Sequence, residues 1–287
     1  MKFGIMFANA GPFGEPAVAR GLASLAEEHG FESLWTVEHT VVPSGYASEY
    51  PYDESGKMPG GDEVSIPDPL VWMAWVASIT TRVRLATGIL ILPQRNPLTL
   101  AKELATLDVL SEGRLDLGIG VGWLREEFDA LGVPFEDRGA RTDEYVAAMR
   151  ALWRDDPASF DGKLVSFERV HSNPKPVQAG GIPIVVGGHS PAAARRAGRL
   201  GDGFFPGRFR SEELAPLLET MRQAAREAGR DPDAIEVTAG GALDLDGVKR
   251  FADLGVRRVV IPPLGFDLET LKSTLGTFAD SVMAKAG

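Results

Sequence analysis

Cysteine is absent from the 287 residues, so disulfides, thiolate metal sites and thiol nucleophiles are all closed to this chain. Histidine is scarce. Its four positions, His29, His39, His171 and His189, are far apart in sequence, which leaves no H-x-H pair for a binuclear metal centre. Lysine is missing from the places a Schiff-base enzyme would need it, since Lys102, Lys163, Lys249 and Lys272 fall in helical or irregular stretches. No apolar run is long enough to cross a bilayer, so no membrane partner is expected. Positive charge is in deficit: the formal net charge of −10 argues against a binder of nucleic-acid backbones. The opening MKFGIMFANAGPFG has one basic residue and an apolar run broken by Gly11 and Pro12. It reads as a first strand and turn rather than a signal peptide, and a cytoplasmic location is expected.

The chain has hydrophobic residues at 44% of positions, enough for a large core, and they are rhythmically placed. Strand-like runs at 2–8, 33–37, 83–89, 115–119, 184–186, 203–205, 236–238 and 258–261 alternate with stretches of helical apolar spacing. Those stretches lie at 15–29, 68–80, 97–110, 191–200, 212–227, 247–254 and 268–285. Between the fourth and fifth strands comes an excursion, with helices near 125–131 and 141–153 and an extended piece at 164–167. No linker or break in composition interrupts the pattern, so one α/β domain over residues 1–287 is expected. Eight strand–helix units predict a (β/α)8 TIM barrel, for which about 250 residues is usual. A doubly wound open sheet is the alternative. Barrels carry their chemistry in the loops that follow the strands. The longest of these, 40–67, is rich in Gly, Pro, Ser and Tyr and suits a lid or a partner surface.

The stretch RLDLGIGVGWLREEF at 114–128 places Gly118, Gly120 and Gly122 at a strand end. A dinucleotide fingerprint would need G-x-G-x-x-G in the first unit; here Trp123 stands at the third glycine position, in the fourth unit. Two readings remain: a flat cofactor ring lies against bare backbone under Trp123, or the small residues relieve crowding at the barrel rim. Glu38 and His39 directly follow the second strand, where a histidine can handle a proton near neutral pH or serve structure alone. Glu38 could orient it, contact a ligand, or be solvated. Gly88 allows close approach after the third strand, and Arg95 there suits an anionic substrate or a surface cap. Gly187, Gly188, His189 and Ser190 lead into a helix begun by Pro191, whose start offers N–H groups to a phosphate. Arg195, Arg196 and Arg199 on that helix add positive charge. Trp72 and Trp75, at helical spacing, read as core.

Four runs carry a likeness to a known family. WTVEHT, RLATGILILPQRNPLTLAKELATLDVLSEGRLDLGIGVGWLREEFDALG, RGARTDEYVAAMRALW and PIVVGGHSPAAARRAGRLGDGFF together resemble the bacterial luciferase-like monooxygenase superfamily. Within it, IPDPLVWMAWVASITTRVRLATGILILPQRNP is similar to the actinobacterial deazaflavin-dependent branch, which uses coenzyme F420. The resemblance implies a (β/α)8 barrel and an oxidoreductase moving hydride between F420 and an organic substrate. It makes Glu38 and His39 the pair at the ring, with His39 handling the proton. Gly88 and Ile89 fall where relatives have a non-prolyl cis peptide behind the ring. Val121 and Gly122 match contacts to ring or ribityl chain, and Gly187, Gly188, His189 and Ser190 match the phosphate end. Trp123, Arg95 and Arg208 are the substrate-side candidates. Two alternatives stand beside this: an FMN-dependent two-component monooxygenase served by a separate reductase, and a non-catalytic flavin-binding protein. Some FMN-using relatives carry an aromatic residue just before the helix at RGARTDEY; Gly139 and Ala140 stand there, which favours the deazaflavin. Relatives pair through helices, and VWMAWVASI has the apolar density for a homodimer.

Overall fold

Strands whose side chains are apolar on both faces need cover outside and filling within, which a parallel sheet wrapped by helices provides. In β5 (Leu115–Gly120) all six residues are buried. The computed structural model describes residues 1–207 and 211–286. Its other barrel strands are β1 (Lys2–Ile5), β2 (Ser33–Thr36), β3 (Arg84–Thr87) with the short β4 (Leu90–Ile91), β8 (Ile184–Gly187), β9 (Gly203–Phe205), β10 (Glu236–Gly240) and β11 (Arg258–Ile261). Parallel pairing runs β3–β2–β1–β11–β10–β9–β8–β5, and β3 pairs again with β5, matching Leu85 to Leu115 and Ala86 to Asp116. That last pairing closes the (β/α)8 barrel and leaves no room for an open sheet.

The helices outside are α1 (Pro16–Glu28), α2 (Pro69–Ala77), α3 (Pro97–Leu110), α4 (Arg125–Leu131), α5 (Arg138–Arg154), α6 (Pro191–Leu200), α7 (Ser211–Glu227), α8 (Leu245–Asp253) and α9 (Leu268–Ser281). Three of them start alike, with a capping side chain followed by proline: Asp68 before Pro69, Asn96 before Pro97, Ser190 before Pro191. The cap accepts first-turn N–H groups, and the proline fits where no N–H is needed. Among the described residues no helix is long and apolar enough to cross a membrane.

Two expectations change. The third strand does not run unbroken over 83–89; it stops at Thr87, passes through a cis Gly88–Ile89 bond, and resumes as β4 against Ile119 and Gly120. The excursion holds a hairpin, β6 (Ala158–Asp161) with β7 (Ser166–Val170), rather than one extended piece. Its arms are largely exposed and bulged between Ala158 and Phe160, so neither shows a clean alternation in sequence.

The lumen is filled in layers. Trp35 is fully buried there with Ala86, Val185, Phe205 and Val260. A Cβ on Gly4 would fall 2.9 Å from the Trp35 indole nitrogen, so the small residue makes way for the large one. Towards the strand starts, Arg258 is 3% exposed, ion-paired to Glu32 at 2.7 Å and Glu236 at 2.6 Å, with its guanidinium over Trp35. Burial pushes the Glu32 carboxyl up, but hydrogen bonding and charge from Arg258 outweigh it and hold the group below its ordinary range. Arg258 and its carboxylates thus plug the lumen towards the strand starts.

Candidate active site

Successive residues of an extended chain face opposite ways, and Glu38 and His39, just past β2, go to different partners. Glu38 is 6% exposed. Its carboxyl accepts the Ile91 N–H at 2.5 Å and the Arg95 Nε–H at 2.8 Å, with a second bond from Arg95 Nη2. Burial pushes this carboxyl up, while Arg95 and the Ile91 N–H oppose that push. Since everything reaching the two oxygens donates, the carboxylate is the form the geometry serves. Arg95 also pairs with Asp68 at 2.6 Å. Its charge is therefore matched inside the protein, where it braces β4 and α2 against the end of β2. Neither sequence reading of Arg95, as an anion holder or as a surface cap, included this brace.

His39 turns instead to Glu127 on α4, with Nδ1 and Oε2 2.9 Å apart. Glu127 is fully buried, and its other oxygen accepts the Thr40 N–H at 2.7 Å and the Val41 N–H at 3.2 Å. The acid beside His39 in sequence is thus not the acid beside it in space. Sequence reading missed Glu127 because it looks like an ordinary acidic residue in a helix first turn. Nothing local marks a partner 88 positions away.

The glycines of β5 answer to packing first. A Cβ on Gly118 would fall 1.7 Å from the Thr87 carbonyl oxygen, and one on Gly120 2.4 Å from Ile89 Cδ1. A Cβ on Gly187 would meet Ile89 Cγ2 at 2.5 Å. Gly122 adopts φ +81° and lies against Phe128. The contacts bear out the crowding reading of this motif: Gly120 and Gly187 clear space for half-buried Ile89 between the ends of β5 and β8.

The 40–67 loop folds back over this rim. Trp123 takes edge contacts from His39 at 5.7 Å, Tyr46 at 5.5 Å and Tyr50 at 5.3 Å. Tyr50 meets Tyr52, and Tyr52 meets His189 beyond β8 at 4.9 Å. Burial, with Tyr52, Asp53 and Tyr46 nearby, pushes the Tyr50 hydroxyl up to about 12. Glu126 clamps the loop to α4 through Ala47 N–H at 2.8 Å, Ser48 N–H at 3.1 Å and Ser48 Oγ at 2.7 Å. The Ser48 hydroxyl and these amides hold the Glu126 carboxyl down at about 2. Neither this clamp nor the tyrosine contacts were legible from residue spacing.

At the start of α6, Ser190 Oγ accepts the Ala193 N–H at 3.2 Å and Gly188 sits at φ +113°. Pro191 has no N–H, and among the described residues the Ala192 N–H has no hydrogen-bond partner in the first turn. Arg196 and Arg199 do not reach that start: they pair with Asp143 on α5 at 2.5 Å and 2.6 Å, correcting the expected positive charge there. Arg208 lies outside the described residues. Val121 stands half-buried between Gly120 and Gly122 on the same rim. Among the described residues no cluster of His, Asp and Glu could hold a metal.

Comparison with known proteins places this geometry in context. The luciferase-like monooxygenase family model matches residues 1–245. An uncharacterized protein of Mycobacterium tuberculosis is 34% identical over 273 residues, covering 92% of this chain and 94% of its own. An F420-dependent glucose-6-phosphate dehydrogenase of Nocardia farcinica is 34% identical over 236 residues, which is 80% of this chain and 65% of that enzyme. A solved monooxygenase from Streptomyces bottropensis superimposes over 100% of both chains with a TM-score of 0.78 and 28% identity.

Proposed function

The chain belongs to the luciferase-like monooxygenase family, and on that premise we propose that it is an F420-dependent oxidoreductase that moves hydride between the deazaflavin and a small organic substrate. The observation that carries the reading is the His39–Glu127 pair standing edge-on to Trp123, beside the wall that Ile89 makes over Gly120 and Gly187. The F420-dependent relative from Nocardia farcinica supports the choice of cofactor.

The residues fit a flat ring with a phosphate tail. Ile89 offers the ring an apolar backing where Cβ atoms on Gly120 and Gly187 would have displaced it. Val121 and Gly122 follow the end of β5, and the Gly187–Gly188–His189–Ser190 turn leads to the start of α6, where Ala192 N–H is the first-turn donor left for a phosphate. Bound there, the deazaflavin would supply a ring carbon that gives and takes hydride in two-electron steps. His39 moves the accompanying proton at Nε2, the ring nitrogen that Glu127 leaves untouched. Trp123, Tyr46 and Tyr50 pack edge to edge beside His39 and would limit water at that exchange, with Tyr52, 40% exposed, on the solvent side. Glu38 acts through the backbone, pinning Ile91 two residues beyond Ile89.

The Streptomyces bottropensis monooxygenase favours a second reading, an FMN-dependent monooxygenase fed by a separate reductase. Titration of the purified protein with F420 and FMN, each oxidised and reduced, tests both by fluorescence and calorimetric heat. Preferential F420 binding at micromolar concentration or tighter supports the first. Preference for reduced FMN transfers the protein to the second, and binding of neither removes both.

A further inference from the structure

We propose that Glu127 is the positioning residue of His39, holding the ring as its Nδ1–H tautomer so that Nε2 is the bare nitrogen at the rim. The inference deepens the assignment of the proton step to His39 and rests on it.

The argument is one of donors and acceptors. A buried carboxylate needs a partner for each oxygen, and Glu127, fully buried, finds all of its partners in three consecutive residues. Oε1 takes the Thr40 and Val41 N–H groups; Oε2 faces His39 Nδ1 at 2.9 Å. A carboxylate only accepts, and a neutral imidazole has one N–H to give. The proton therefore sits on Nδ1. Among the described residues Nε2 has no hydrogen-bond partner, which leaves its lone pair for substrate.

The surroundings make this a fixed arrangement. Phe128, next to Glu127, packs against Gly122 so closely that a Cβ there would fall 2.6 Å from the ring. Trp123 stands edge-on to the imidazole with an interplanar angle of 86° and limits its rotation. The carboxyl adjacent in sequence, Glu38, is engaged by Arg95 and the Ile91 N–H, so it does not compete for the ring. When Nε2 takes a proton, the new positive charge forms beside the carboxylate already bonded to Nδ1. A carboxylate that orients a histidine and matches the charge it acquires is a recurrent device in proton-transfer sites.

The test is nitrogen NMR of the imidazole rings in the ¹⁵N-labelled full-length protein, with no cofactor or substrate added, at a pH where the rings are neutral. The His39→Asn variant assigns the His39 signals by their loss. The expected wild-type spectrum has a protonated Nδ1 and a bare Nε2. In Glu127→Gln the amide can both donate and accept, and in Glu127→Asp the carboxylate is drawn back by one methylene. Both are expected to replace the single tautomer with a mixture. A wild-type His39 protonated at Nε2 overturns the proposal without any Glu127 variant, so poor folding of those variants cannot shelter it. A folded Glu127→Gln that keeps the pure Nδ1–H form overturns it as well, since Glu127 would then merely brace Thr40 and Val41. Because the samples contain neither F420 nor FMN, failure of the cofactor reading and failure of this one are separate results.

Discussion

If Gly118 and Gly120 are small for different reasons, alanine at the two positions should separate stability from binding. At Gly118 the new Cβ would lie 1.7 Å from the Thr87 carbonyl oxygen and 2.9 Å from its carbon. That neighbour is backbone, so relief to ordinary contact at 3.4 Å means moving β3 from β5 by about 1.7 Å, against the pairs that close the barrel. Overpacking of this kind costs about 1–3 kcal/mol and sometimes more, and a rigid neighbour places Gly118→Ala at or above ~3 kcal/mol. At about 2–4 °C per kcal/mol for a domain of this size, the melting temperature falls by ~6–12 °C. At Gly120 the obstacle is the tip of a side chain, Ile89 Cδ1 at 2.4 Å and Cγ1 at 2.8 Å. Ile89 can rotate away for about 0.5–1.5 kcal/mol, partly offset by ~0.4–1 kcal/mol from a stiffer unfolded chain. Gly120→Ala should therefore melt within ~4 °C of the wild type. It should nevertheless lose cofactor affinity, because Ile89 no longer backs the ring; a 1.4 kcal/mol loss there is about tenfold in Kd. Thermal melts and cofactor titrations on the same preparations decide the matter. Unchanged melting of Gly118→Ala, or full affinity in a well-folded Gly120→Ala, would refute the packing argument for this motif.

Other perturbations follow from the same geometry. His39→Ala should keep cofactor affinity while turnover falls by about 10²–10⁴-fold, the usual worth of a positioned proton-transfer group; full turnover with intact binding would remove His39 from the mechanism. Arg258→Met removes the buried cation between Glu32 and Glu236 and leaves them Lys2 as a partner at the barrel's edge. It should cost about 1.5–3 kcal/mol in urea unfolding, the usual worth of hydrogen bonds to a charged group, because both carboxylates are partly solvated and keep Lys2. The Glu126 clamp has a carboxyl held at about 2 in the folded protein, below its ordinary value. A depressed carboxyl stabilises above its unfolded pKa and loses that contribution as pH falls through the folded one. Amide exchange at Ala47 and Ser48 should thus stay slow near neutrality and accelerate as pH drops from about 4 towards 2, relative to a Glu126→Gln control. Parallel profiles for the two proteins would mean that the clamp does not hold the loop.

Much of the frame follows from the order of residues. Strands alternating with helices, and caps such as Ser190–Pro191 with their start signals, depend on contacts within a turn or two, which apolar periodicity records. β9 and β11 occupy the stretches 203–205 and 258–261 where the pattern places them. Small residues at Gly118, Gly120 and Gly122 were legible at a strand end, but their neighbours were not: Gly120 and also Gly187, read only as a strand end, make room for Ile89, which follows the cis bond beyond β3. Which charges meet was decided only by the closed barrel. Glu38 and His39 are neighbours in the chain, yet closure hands one to Arg95 and the other to Glu127. Arg196 and Arg199, read as charge for the start of α6, face Asp143 on α5 instead. Hydrogen bonds between residues 57 or 88 positions apart leave no periodic trace, because each partner alone satisfies an unremarkable local rule. The sequence by itself determined the succession of elements, because each element rests on local spacing and caps. The tertiary structure decided which acid serves which base, since only closure of the sheet sets their distances.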